Sequence, residues 1–236
     1  SFDDVTVVAV ADRSPERRDF VQKTYPHINT IEEGEDVINN PDIDAVFVAT
    51  PAATHAVVAR QALEAGKDVF VEKPMALSVQ DAEEMKCIAE KTNRILMVGH
   101  LLEYHPAVLK LSEMITSGEL GKINYIYSNR LNFGKVRTEE NALWSFAPHD
   151  FAVILRLIGQ SPIEVSATGG SYLTEGLADV TVSNMRFSDE TRAHVFVSWL
   201  HPFKEQRLAV VGDKKMAIFN DVATFGEKLL LYPQTV

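Results

Sequence analysis

The stretch Val69-Phe70-Val71-Glu72-Lys73-Pro74-Met75-Ala76 decides how this chain is read. An apolar, β-prone run stops abruptly at two charges and a proline, and a helix start follows at Ser78. Charges at the end of a buried strand are costly unless they are used. In open α/β sheets the carboxyl edge of the strands is where ligands bind. Lys73 is therefore the first candidate for chemistry. A lysine partly desolvated there can have a lowered pKa, Glu72 is able to hold it as an ion pair, and Pro74 would fix the turn. The plain alternative is a surface lysine in a β–α loop.

Working outward, the same strand-then-helix pattern recurs. Residues 5–11 (VTVVAVA) form a nearly continuous apolar run, which predicts a parallel strand covered on both faces. Ser14-Pro15 reads as an N-cap with proline at the first helical position, opening a helix that ends near Tyr25-Pro26. A shorter helix is expected over 33–39 and a second buried strand over 44–51. A helix follows over 54–65, with Gly66 just past its end. Strand 68–71, helix 78–91 with a capping-box-like Ser78 and Asp81, and strand 94–98 complete the block. This alternation predicts right-handed βαβ crossovers and a parallel, Rossmann-type sheet.

Beyond Gly99 the pattern changes. Helices are expected over 106–117 and 148–158, and strands over 122–131, 163–168, 179–187, 191–199, 206–211 and 215–219. A run of strands after a block of βα units predicts a separate α+β domain with a mainly antiparallel open sheet. The expected division is 1–102 and 103–236.

Composition narrows the function. The 236 residues are 46% hydrophobic and 24% charged, with a formal charge of −10 and no basic block. That argues against nucleic acid or an anionic membrane as partner and leaves a small molecule. The single cysteine excludes an internal disulfide, and seven histidines without ligand spacing give no metal signature. The cytoplasm is the default location.

Four further clusters are candidates. Asp12 ends the first strand, where a carboxylate can accept from both ribose hydroxyls of an adenosine. It would repel a 2′-phosphate and so favours NAD over NADP, although Arg13 beside it works against that preference. Its plain alternative is a turn residue before Ser14. Thr50, Pro51 and His55 follow the second apolar strand, either as a nicotinamide-side contact or as a loop and helix cap. His149 stands at the start of an apolar helix, where the helix terminus keeps an imidazole neutral, as a general base requires. Asp150 beside it reads as a simple helix-start charge. The polar stretch 129–141, with Asn132, Arg137 and Asn141, precedes Trp144. It offers groups that grip a phosphate or carboxylate and a ring that stacks, or it is a solvated loop.

No G-x-G-x-x-G occurs in the chain, and in a dinucleotide-binding unit the acidic residue lies about 20 residues after that fingerprint. The chain is thus expected to be an internal fragment that begins after its first strand and glycine loop. On that reading it binds NAD weakly, turns over little and exposes an unpaired sheet edge.

With Val10-Ala11-Asp12, Ala49-Thr50-Pro51 and His55, Glu72-Lys73-Pro74 and Pro148-His149-Asp150 in this order, the chain resembles the Gfo/Idh/MocA oxidoreductases. The resemblance implies an NAD-binding Rossmann domain and an α+β domain supporting the substrate pocket and homo-oligomer contacts, as a dimer or tetramer. It implies that Lys73 and His149 are the catalytic pair. It also implies that Asp12, Arg13, Thr50, Pro51, His55, Glu72 and Lys73 serve the cofactor, and that Asn132, Arg137, Asn141, Trp144 and His149 serve the substrate. The family aspartate and glycine that precede the histidine are replaced here by Ser145 and Ala147, so no acid/base role carries over to that aspartate. The stretch 129–150 is similar to the branch that oxidises UDP-N-acetylglucosaminuronate at C3 for surface-polysaccharide synthesis. Inositol or hexose oxidation, NAD-dependent glycoside cleavage and non-catalytic NAD(P) or sugar sensing remain open.

Overall fold

The structure is a computed structural model that describes residues 4–133 and 140–234. It comprises two compact units, Ser1–Gly99 and His100–Val236.

The first unit runs β1 (Ala9–Ala11), α1 (Pro15–Thr24), β2 (Asn29–Ile31), α2 (Gly34–Ile38), β3 (Ala45–Val48), α3 (Ala52–Glu64), β4 (Asp68–Val71), α4 (Val79–Thr92) and β5 (Leu96–Val98). Every strand pairing is parallel. The helix starts follow from local chemistry. Ser14 caps α1 through the Arg17 amide, and Ser78 caps α4 through the Asp81 amide. On α3 the buried residues are His55, Ala56, Ala59, Ala62 and Leu63, a stripe at helical spacing. They pack with Val48, Val69, Val71 and Met85 into one core.

Two expectations need correction. The run 5–11 is not a strand covered on both faces: only Ala9–Ala11 pairs, and Val5 and Val7 are 61% and 54% exposed. The apolar pattern signals β propensity, but burial needs a covering layer, and among the described residues none lies over these valines. Nor is β3 fully buried, because Phe47 is exposed and stacks on Phe70 at 4.3 Å. The parallel sheet is in two pieces, β1-β2 and β3-β4-β5. No strand among the described residues joins them.

The second unit opens with a 3-10 turn, Leu101–Tyr104, followed by α5 (Pro106–Thr116), β6 (Ile123–Leu131), α6 (Ala142–Phe146) and α7 (Pro148–Ile158). Then come β7 (Glu164–Gly170), β8 (Val180–Arg186), β9 (Arg192–Ser198), β10 (Glu205–Gly212), β11 (Lys215–Asn220) and β12 (Leu229–Pro233). The strands form one sheet in the order β12-β11-β10-β6-β9-β8-β7. Only β6 and β9 run parallel; the other pairs are antiparallel.

Register explains the core. Ala217, Val210, Ile126, Ala193 and Met185 lie side by side across five strands, and all are buried. They join Val108, Leu111 and Met114 of α5 and Val153, Ile154 and Leu157 of α7. The alternate residues, such as Tyr125, Tyr127 and His194, line the opposite face. There Tyr127 stacks on His194 at 5.5 Å. Where β10 ends, a Cβ on Gly212 would stand 2.0 Å from the Leu120 carbonyl oxygen, so only glycine lets those backbones meet.

Candidate functional site

Lys73 lies half-buried just past β4, and its amide donates to Glu72 Oε2 at 3.2 Å. The Glu72 carboxylate itself rests over Gly99, where an added Cβ would meet Oε2 at 3.0 Å. The Lys73–Pro74 peptide is cis. Past β3, the Thr54 hydroxyl sits 2.7 Å from Thr50 Oγ1 and 2.8 Å from the Pro51 carbonyl oxygen. Pro51, rather than Thr54, is the N-cap of α3.

His55 is not on the surface. It is 2% exposed, with Nδ1 2.7 Å from the Pro74 carbonyl oxygen and Nε2 2.7 Å from that of Thr50. The ring is engaged with the two strand-end loops and presents neither nitrogen outward.

Asp12 follows β1 at the head of α1. Its Oδ1 accepts from the Ser14 amide at 2.8 Å and its Oδ2 from Arg17 at 3.2 Å. The Ser14 amide, aided by Arg17, holds this carboxyl below its ordinary value against an opposing effect of burial. A carboxylate offers about four acceptor positions, so two bonds leave room for ribose hydroxyls. The residue therefore fits an adenosine ribose while also serving the turn. Arg13 is exposed and meets Glu33 at 3.5 Å.

In the second unit, His149 sits in the first turn of α7, half-buried, with the His100 ring edge-on to it at 6.4 Å and 88°. His100 carried no motif in the sequence; only its place directly after the last parallel strand hinted at it. Asp150 corrects the expectation of a plain helix-start charge. It is 3% exposed and accepts from Arg130 Nε at 2.6 Å, Arg130 Nη2 at 3.2 Å and Ser128 Oγ at 2.6 Å. Arg130 and Ser128 both project from β6, so this ion pair pins the turn that carries His149 to the sheet.

The expected substrate contacts differ in how they are held. Trp144 is exposed on α6, whereas the Asn141 side chain caps that helix by accepting from the Trp144 amide at 3.1 Å. Asn132 donates its amide to the Ser198 carbonyl. Arg137 lies outside the described residues. No cluster of three or more His, Cys, Asp or Glu suited to a metal occurs among the described residues. A cavity of about 650 Å³ opens in the second unit along β6–β9, lined in part by Lys122, Tyr125, Glu164, Arg186 and His194, and holds none of the candidates.

A parallel α/β unit with an acidic residue after one strand and a lysine turn after another defines a dinucleotide-dependent class. An open antiparallel-rich sheet with a histidine at a helix start completes the pattern. Residues 1–100 match the family model described as the NAD-binding Rossmann fold of the GFO/IDH/MocA oxidoreductases, and 108–218 match that family's C-terminal domain. The chain belongs to the Gfo/Idh/MocA oxidoreductase family.

Among its relatives is the 2,7-anhydro-N-acetylneuraminate hydratase of Mediterraneibacter gnavus, 33% identical over 64% of this chain and 44% of the relative. The UDP-N-acetylglucosamine 3-dehydrogenase of Acidithiobacillus ferrooxidans is 29% identical over 66% of this chain and 49% of its own length. A solved structure of that enzyme superimposes with a TM-score of 0.84 at 25% identity, over 96% of this chain and 72% of the other. The inositol 2-dehydrogenase of Rhizobium meliloti is 26% identical over 75% of this chain and 54% of its own. The chain thus spans about half the length of the curated relatives it matches.

Proposed function

We propose that this chain is part of an NAD-dependent dehydrogenase that oxidises a CH–OH carbon of a sugar, with C3 of a UDP-N-acetylhexosaminuronate as the substrate class. Residues 1–102 serve the cofactor and 103–236 the substrate and subunit contacts. The observation that carries the reading is the pair of anchored turns. Lys73 follows a parallel strand, and His149 opens an apolar helix locked to the sheet by Asp150 and Arg130. The relative that oxidises a UDP-N-acetylhexosamine at C3 supports the substrate class.

Bound NAD⁺ supplies the hydride acceptor. His149 takes the proton of the reacting hydroxyl as its carbon becomes a carbonyl. Lys73 donates a hydrogen bond to that oxygen and offsets the negative charge that develops on it. Asp12 accepts from the adenosine ribose, and Thr50, Pro51 and Glu72 shape the adjoining strand ends. Asn132, Asn141, Arg137 and Trp144 serve the substrate.

A second reading has support from the hydratase relative, whose name describes a net reaction without change in NAD. In that case oxidation at one carbon is transient. One assay separates them: the protein is incubated with NAD⁺ and UDP-N-acetylglucosaminuronate, UDP-N-acetylglucosamine or myo-inositol, following both NADH and sugar products. NADH formed fastest with the uronate supports the first reading. Altered sugar without NADH accumulation supports the second, and turnover that ignores NAD overturns both.

A further inference from the structure

We infer that the turn joining β7 to β8, residues 171–179, is a further wall of the substrate site. Tyr172 is its specificity-determining contact, for the nucleobase of a nucleotide sugar, and Asp179 is the positioning residue that holds it. The choice of ligand rests on the proposed substrate class; the placement rests on the geometry of the second unit alone.

Register puts the turn there. Leu131, Ser198, Val180 and Gly170 lie side by side across β6, β9, β8 and β7 and close one end of the sheet. Asn132 follows Leu131 on this rim, and the turn leaves Gly170 and returns at Val180. The short helix α6 with its Trp144 is drawn to the same rim. The Ala142 amide donates to the Ala178 carbonyl at 2.9 Å, and Phe146 meets Trp199 edge-on at 6.4 Å. His149 is tied near this end as well, through Asp150 to Ser128 and Arg130 of β6. β7 stands three strand spacings from β6, about 14 Å. The turn therefore serves a part of the substrate remote from the carbon that His149 attends.

The turn is fixed rather than merely exposed. Asp179 is fully buried, and its Oδ2 accepts from the Tyr172 amide at 2.5 Å and the Leu173 amide at 2.8 Å. A carboxyl group keeps an oxygen with two lone pairs whether or not it carries a proton, so both bonds stand in either state. The Asp179 amide donates to the Gly170 carbonyl, and its carbonyl accepts from the Trp199 amide. Further out, Thr174 and Leu177 bridge a tight reversal that Gly176 makes at φ +81°. The Tyr172 ring is 73% exposed yet seated: a Cβ on Gly170 would stand 2.7 Å from its Cε2 and 2.8 Å from its Oη. A ring held in place before the ligand arrives lowers the ordering cost of binding. Nucleobases stack on such rings because every base has a π-face.

UDP is the probe, and its binding to the protein is read by calorimetry. Tyr172→Ala is expected to raise the Kd about 10-fold, whereas Tyr172→Phe keeps the ring and most of the affinity. Gly170→Ala takes the seat of the ring without removing it. It weakens UDP binding in the parent protein and adds nothing in the Tyr172→Ala background. Asp179→Asn keeps an acceptor for both amides and binds UDP nearly as the parent does, while Asp179→Ala releases the turn and weakens binding as Tyr172→Ala does. If Asp179→Ala does not fold, hydrogen exchange at the Tyr172 and Leu173 amides decides: slow exchange is expected, and fast exchange overturns the positioning role. A folded Tyr172→Ala that binds UDP like the parent overturns the assignment, and so does a protein that binds no UDP. In turnover of UDP-N-acetylglucosaminuronate, Tyr172→Ala raises KM about 10-fold and leaves kcat near its original value. UDP affinity that falls with Tyr172→Ala, in a protein that oxidises no sugar, would sink the proposed function and leave this inference standing. NADH formed from the uronate with a KM indifferent to Tyr172→Ala would do the reverse.

Discussion

The two units hold their candidate residues by opposite means. Around Lys73 the loops are tied through backbone carbonyls and one carboxylate, gathered under a single imidazole. Around His149 the helix start is tied by a full ion pair between Asp150 and Arg130, both almost wholly removed from solvent. The difference reflects the sheets. In a parallel sheet the strand ends fan into loops with no ladder between them, and a side chain must join them. In the second unit a helix lies across the sheet face, so one long strand residue reaches it directly. The first arrangement secures a backbone path; the second secures the rotation of a helix about its own axis.

The ion pair gives the largest test. Arg130→Ala leaves Asp150 buried and still accepting from Ser128, without its cation, and breaking such a pair from one side costs about 3–5 kcal/mol. Denaturant unfolding is the measurement, and a loss below about 1 kcal/mol, the range of an exposed pair, would break the comparison. Replacing both partners by apolar residues of similar volume recovers most of the loss. Next comes Lys73→Ala, expected to lower turnover by about 100- to 1,000-fold while the fold persists. Steady-state kinetics with normal rates would remove Lys73 from the mechanism. Smaller still is Ser78→Ala, which deletes the cap of α4 just beyond the lysine turn and costs about 1 kcal/mol of stability.

The smallest effect is a pH dependence in the second unit. Burial holds His194 below its ordinary value of 6.5, and His105 shifts the same way, chiefly for the same reason. The unfolded chain then binds protons more readily than the folded one. Stability is full above 6.5 and falls as the pH drops through that value towards the folded-state pKa, by at most about 1.4 kcal/mol per pH unit for each proton. Unfolding midpoints across this range check it, and His194→Phe flattens the slope without abolishing it.

The long apolar elements were legible in the sequence. The strand at 68–71 and the helix at 148–158 coincide with β4 and α7 because apolar periodicity and nearby breakers, Gly66 and Gly159, agree on their ends. Of the short elements, α2 and β5 were legible and others were not. β2 (Asn29–Ile31) has too few apolar residues to stand out, α6 is a single capped turn, and β12 is an exposed edge strand. The site divided along the same line. Lys73, His149 and Asp12 announced themselves by position at the ends of regular elements. Asp150 did not, because its burial depends on Arg130 and Ser128 on another strand. His55 read as a nicotinamide-side contact or part of a loop and helix cap for the same reason: its partner at Pro74 is distant in sequence.

The placement of β6 has a consequence for how the second unit assembles. Both of its neighbours, β9 and β10, are made later in the chain, and one of them pairs in the parallel sense. During synthesis this central strand is made before either partner, and its two ladders cannot both close until β9, ending at Ser198, and then β10, ending at Gly212, have been added. Such long-range closure raises contact order and slows folding. The nascent unit therefore carries an open edge at its own centre until its last central partner is made.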